Sequence, residues 1–373
     1  MRAAGCEELL MSTTYFLGAG FSAAYGLPVM NQFFSFARRS ELLTQQDKQF
    51  LGGVQRFAHM GVRLITIARN NMEEILSFLE MAEQAKQIPP ALTEMCKQGE
   101  KQCTASEMLR AIIARVYGPL PNRLPDLKTR MVTTFGLNGR DFAAQLGSNA
   151  PVSGPPVGFQ EGTTIITTNY DLSLETSLLG IEERHIRLRP RLIGDWVSAE
   201  GHPGGEGDGS CIYDAASPAK LIRLHGAVNW NSPGCNHNNR RYAFRVTSHI
   251  NPGNNLPWAI DKQFYNPREA PPIMIAPTVL KHQADGPYAE QWREAARALA
   301  CAKHVIFIGY SFPESDSYMR YFLGTSLAEN VELDAIHVVD PCADAIVRRL
   351  HDGARYGPHF LDMLQPHNRP WQK

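Results

Sequence analysis

The segment YFLGAGFSAAYGLP, residues 15–28, constrains the fold more than any other: an apolar run breaks on glycines and reopens as small residues of helical character. A strand covered on both faces is apolar throughout, and a strand turning straight into a helix begins a parallel α/β sheet. Gly18, Gly20 and Ala23 form a G-x-G-x-x-A pattern. There the first glycine permits the tight turn and the second admits a pyrophosphate to the backbone. The third position packs closely while helix N–H groups face the anion. A ligand-free strand-to-helix turn has the same pattern, and the strand-then-helix context favours a nucleotide. The acidic end of a second strand about 20 residues later, which meets the ribose in dehydrogenases, is missing, so ordinary hydride transfer is disfavoured.

Six β-branched or aromatic runs stand out: TTYFL (13–17), TIITTN (164–169), LIRLHG (221–226), PIMIAP (272–277), KHVIFIGYS (303–311) and AIHVVD (335–340). Together they predict a Rossmann-like α/β fold with a doubly wound parallel six-stranded sheet. Their polar endings mark where a ligand would bind, beyond the carboxyl ends of the strands. About 145 residues separate the first two runs, against the ~12 a crossover needs. Within that gap Met72, Ile75, Leu76 and Leu79, then Met108, Ile112, Ile113 and Val116, recur at helical spacing. The predicted organisation is a discontinuous core (12–32, 160–180, 218–230, 270–345), a helical insert (33–150), an irregular insert (185–270) around the third strand, and a C-terminal tail (346–373).

Charge and motif content exclude several classes. Lys plus Arg and Asp plus Glu both total 37, with no dense basic run, so direct nucleic-acid binding is disfavoured. No apolar stretch approaches the ~20 residues of a membrane span, and MRAAGCEELL has an acidic pair where a signal peptide is apolar; the expectation is a cytoplasmic protein. Seven cysteines, spread from Cys6 to Cys342, do not resemble a disulfide framework and suit a reducing compartment. No C-x-x-C occurs, six residues separate Cys96 from Cys103, and Cys235 with His237 is an isolated pair, so no metal is predicted. Neither G-x-x-x-x-G-K-[ST] nor G-x-S-x-G is present, which removes P-loop nucleotidases and α/β-hydrolases.

The strand endings carry the candidate chemistry. In TTNYD, Thr168, Asn169 and Asp171 could orient a ribose, a carboxamide or a water, and Asp171 equally suits a helix cap. His225 in LHG has the residue type of a general base, with an unperturbed pKa of about 6.5, or of a structural histidine. Gly309 and Ser311 in GYSFPESDSY, and Asp340 in VVDP, are ribose contacts or simple turn residues with equal standing.

In that order, GAGFSAAYGLP, TTNYD, LHG and GYSF resemble the Sir2 (sirtuin) family, and more closely the bacterial SIR2-like domains of anti-phage defence than the protein deacylases. The resemblance covers residues 12–345. It implies that Gly18, Ala19, Gly20 and Ser22 line the dinucleotide phosphates. Asn169 would hold the nicotinamide ribose or a water, with Thr168 beside it; Asp171 would receive the carboxamide; His225 would be catalytic. Gly309 and Ser311 would lie near the adenosine ribose, and Asp340 on the adenine side. Departures are GLPVMN, with Val29, Met30 and Asn31 in place of the deacylase DFR, Thr168 in place of glutamine, and no zinc ribbon. NAD+ as substrate without a metal, and hydrolysis of its nicotinamide–ribose bond, follow as expectations. So does NAD+ depletion in abortive infection, under control of a homo-oligomer or of a partner such as a HerA-type ATPase or another defence sensor. The other readings are an NAD-dependent deacylase and a non-catalytic NAD or ADP-ribose-binding module.

Overall fold

The computed structural model describes residues 13–61, 71–98, 101–118, 134–135, 159–179, 191–193, 197–200, 213, 217–231, 244–247, 250–251, 259–260, 272–275, 287–314, 316–328, 330–353 and 356–370. Seven strands form the main sheet: β1 Thr13–Leu17, β2 Thr164–Thr167, β3 Arg191–Leu192, β4 Lys220–Arg223, β5 His304–Ile308, β6 Ala335–Asp340 and β7 Leu364–Asn368. Their order is β7-β6-β5-β1-β2-β4-β3, and every neighbouring pair is parallel. The chain moves from β1 toward β2, β4 and β3, then returns to place β5 on the other side of β1. The order therefore reverses between β1 and β5, where open α/β sheets bind ligands.

The doubly wound class is as read from the sequence, but the strand count is seven rather than six. Of the six runs, PIMIAP does not join the sheet. Its described residues 272–275 make one isolated antiparallel bridge, Met274 to Gly226, with the N–H groups of Ile273 and Ile275 donating to the carbonyls of Trp230 and His225. Pro272, the first of these described residues, has no N–H to give to a ladder. Two strands are additional. β3 is too short to show a period, and β7 contains Pro366, tolerated because it lies at the sheet edge. The described residues of 346–368, expected as a tail, thus finish the helix Ala343–Asp352 and add a short helix, Pro358–Asp362, and the outermost strand.

In β1, β2, β4, β5 and β6 alternate residues enter two cores, which explains why these runs are apolar on both faces. Phe16, Ile166, Ile222, Phe307 and Val338 face one side. There they meet α8 (Pro287–Ala300), α9 (Ser317–Ala328) and α10 (Ala343–Asp352) through Leu299, Leu323 and Ile346. Tyr15, Leu17, Ile165, Leu221 and Ile308 face the other, against α1 (Ala19–Ala23) and α7 (Ser173–Leu179) through Phe21 and Leu178. Each such side chain contributes ~1.5–3 kcal/mol by leaving water.

The insert has its own core around α2 (Phe33–Arg39), α3 (Gln45–Gly61), α4 (Met72–Gln84), α5 (Pro90–Met95) and α6 (Ala105–Tyr117). All eight periodic residues of α4 and α6 are buried in it. Asn71 caps α4, its Oδ1 accepting from the N–H groups of Glu73 (3.0 Å) and Glu74 (3.4 Å), and Thr104 with Glu107 forms a capping box on α6. A bidentate pair, Arg115 with Asp47 at 2.6 and 2.8 Å, ties α6 to α3. Burial works against the Asp47 charge, but hydrogen bonds from Arg115 and Thr44 outweigh it and hold the carboxyl low. The stretch expected to be irregular contains short strands, Val197–Glu200, Phe244–Thr247 and Trp230–Asn231, which form a three-stranded sheet. Segments such as VSAE, FRVT and WN mix polar residues into two to four positions and show neither an apolar run nor a period.

No helix among the described residues is long and apolar enough to cross a membrane. Among the described cysteines Cys96, Cys103 and Cys342 are free, whereas Cys301 is disulfide-bonded. A bond at Cys301 was not anticipated by the reading of the cysteines as suited to a reducing compartment.

Candidate functional site

The glycines of the first turn serve the contact between β1 and β5. Gly18 N–H donates to the Ile308 carbonyl at 3.0 Å, and Gly20 N–H to the Gly309 carbonyl at 2.9 Å. A Cβ on Gly18 would come within 2.5 Å of the Gly309 oxygen, and one on Gly20 within 2.8 Å of the Gly309 Cα. Gly309 has φ +60°, and a Cβ there would lie 2.3 Å from the Phe21 nitrogen. The sequence assigned Gly20 to a phosphate; the structure shows its N–H engaged by Gly309. Room for two backbone turns to touch is what these glycines provide.

The loop after β2 is fixed from two directions. Asn169 Nδ2 donates to the Gly18 carbonyl (2.8 Å) and to Ser22 Oγ (2.9 Å). A carbonyl can only accept, so the orientation of the amide is set. With both amide hydrogens used on the protein, Oδ1 is what Asn169 has for a ligand. From below, Arg223 donates to the carbonyls of Asn169 (2.8 Å) and Asp171 (2.9 Å) and pairs with Glu175 of α7 at 2.5 Å. Arg223 and Glu175 are both buried. Burial opposes the guanidinium charge, and Glu175 more than offsets it, so Arg223 is held above its usual range. Tyr213 donates to the same carboxylate, its phenol pushed up by burial and then by Glu175, so it remains a donor.

His225 lies two residues after Arg223, only 2% exposed, with its ring 6.3 Å from those of Tyr170 and Trp292. Its carbonyl accepts from Ile275 at 2.9 Å, which ties LHG to the extended PIMIAP segment. On the other side of β1, Arg349 donates to the carbonyls of Ser311 and Phe312 and holds the loop after β5. Phe312 has φ +49°, rare for a side chain of that bulk, and is buried among Phe307, Tyr310, Tyr356 and Phe360.

These loops surround one cavity of about 770 Å³, a volume ordinary for a ligand site. Of the sequence candidates, Ala19, Gly20, Thr168, Asn169, His225, Gly309, Ser311 and Asp340 line it. Gly18, Ser22 and Asp171 do not. Gly18 and Ser22 stand behind Asn169 as its hydrogen-bond acceptors. Asp171 Oδ1 accepts from Ser173 N–H at 2.9 Å and caps α7, the alternative its position left open. The carboxamide contact that the resemblance implies for Asp171 is not part of this lining; what the structure shows of its carboxylate is the bond from Ser173 N–H.

Sequence reasoning missed the insert's share of the wall. Asn71, Glu73 and Glu74, at the start of α4, line the cavity with Asn31, and Asp316, Tyr318 and Tyr321 line it at the start of α9. The NNMEE stretch has a capping signature, but nothing local says that this helix end meets a distant sheet.

No family model matches the chain, and no curated protein does. Among solved structures, a complex of Sir2Tm with a propionylated peptide matches at 13% identity, covering 92% of this chain and 94% of that one, with a TM-score of 0.30. The class defined by the sheet itself is a doubly wound, fully parallel α/β fold with its cavity at the carboxyl edge, across the switch point.

Proposed function

We propose that the cavity binds NAD+ and hydrolyses its nicotinamide–ribose bond, giving nicotinamide and ADP-ribose. One observation carries this reading: the ends of five successive strands line a single cavity, with Asp340 at one extreme, then Ser311 and Gly309, Ala19 and Gly20, Asn169, and His225 at the other. Four strand intervals of ~4.8 Å span roughly 19 Å, the reach of an extended dinucleotide rather than of a mononucleotide.

The nicotinamide ribose belongs at the Asn169 and His225 end. The departing nicotinamide becomes neutral as it leaves and needs no general acid, while the ribose passes through an oxocarbenium-like state. Asn169 Oδ1 accepts from a ribose hydroxyl or from the attacking water and keeps it in line. His225 takes the proton, a role of about 100- to 10,000-fold. Arg223 and Glu175 act through the loop and touch no substrate. The defence setting, the NAD+ depletion and the partner or assembly that would restrain it belong to the same proposal and are supported by the motif resemblance alone.

The test is nicotinamide release from NAD+ by the purified chain, with and without an acyl-lysine peptide. Release without peptide is expected. Release only with peptide identifies a deacylase, and NAD+ that binds but stays intact identifies a binding module.

A further inference from the structure

We propose that Asp340 makes this site select NAD+ over NADP+, an inference that rests on the dinucleotide reading above. Asp340 is the last residue of β6, two strands from β1 on the side away from His225. With nicotinamide at the His225 end, the half of the ligand that reaches Asp340 is the adenosine. One carboxylate oxygen, Oδ1, accepts from the Cys342 N–H at 2.8 Å, which fixes the group at the cavity wall. The other has no partner among the described residues and is available to a ribose hydroxyl.

The charge around the ligand points the same way. Glu73, Glu74, Asp316 and Asp340 line the cavity, and no Lys or Arg is among its described lining residues. A site for a 2′-phosphate supplies a cation to it, commonly an arginine. Arg349, whose donors reach the Ser311 and Phe312 carbonyls, stands behind the loop and does not line the cavity. A 2′-phosphate carries a charge of about −1.5 to −2, and like charges brought together at a site are strongly discriminated against. A 2′-hydroxyl, by contrast, donates to the free Asp340 oxygen as a charge-assisted hydrogen bond.

The experiment is calorimetric binding of NAD+, NADP+ and ADP-ribose to the full chain, in the wild type and in Asp340→Asn and Asp340→Ala. Binding needs no turnover, so an enzyme held inactive is still tested. Asn keeps the acceptor for Cys342 N–H and replaces the other oxygen, with its charge, by an NH2 donor. The wild type is expected to bind NADP+ more weakly than NAD+ by about tenfold or more, and both variants to narrow that ratio by a similar factor. Equal affinities in the wild type, or a ratio that neither variant moves, overturn the proposal while leaving the dinucleotide reading intact. If neither nucleotide nor ADP-ribose binds, the reading of the cavity fails, and the proposal with it.

Discussion

Asn169 illustrates how one side chain is prepared by its neighbours. Its two amide hydrogens are directed at Gly18 and Ser22, and its carbonyl receives Arg223, so little freedom remains before a ligand arrives. Removing the buried cation exposes what it does. Arg223→Ala leaves the Glu175 carboxylate inside without its partner, and is expected to cost ~3–5 kcal/mol in urea unfolding. Replacing both residues by apolar ones of similar volume should recover most of that loss; an unchanged midpoint in the single variant would show that the pair carries no weight. Gly309→Ala tests the turn contact. It meets the Phe21 nitrogen and the wrong half of φ space at once, so a loss of at least ~1–3 kcal/mol is expected in the same assay. At this scale the sequence revealed residue types at strand ends. It did not reveal Arg223, because an arginine in LIRLHG looks like the polar end of an apolar run until Glu175 is brought against it.

Elements explain why part of the fold was legible and part was not. α4 and α6 show their apolar stripes because each buries one face against a single core, whereas β7 mixes Leu364 with Gln365, Pro366 and His367 and could be taken for a loop. β7 closes over a row of histidines, His304, His337 and His367, on three adjacent strands, with His337 Nδ1 3.2 Å from His367 Nε2. Burial pushes His337 down to about 4, with His367 and His304 adding to it, and burial followed by Arg369 lowers His367. The folded state binds these protons less readily than the unfolded chain. Stability is therefore complete above about pH 6.5 and falls as pH drops toward about 4. His337→Phe should flatten that part of a urea-midpoint profile, and a profile equally steep in the variant contradicts the assignment. Asn71→Ala removes the cap of α4 and should cost ~1 kcal/mol in thermal or urea unfolding. It also loosens the wall that holds Glu73 and Glu74, so nucleotide affinity should fall with it.

For the whole molecule, the doubly wound sheet was readable because both faces are covered and the strands are apolar runs with polar ends. The cavity was readable only in part. Thr168, Asn169, His225, Ser311 and Asp340 sit at those ends, and strand order brings them together. The acidic residues of α4 come from an insert whose docking no local pattern records, and at Asp171 a helix cap and a ligand contact share the same residue type, so the sequence alone does not separate them. The central claim is that the strand ends form one catalytic NAD+ site. Its most direct measurement is nicotinamide release from NAD+ by the wild type, Asn169→Ala and His225→Ala, with folding checked by circular dichroism and binding by calorimetry. The account predicts release by the wild type and none above background by either variant, with both still folded. Equal release by all three proteins, or wild-type protein that leaves NAD+ intact, would contradict it.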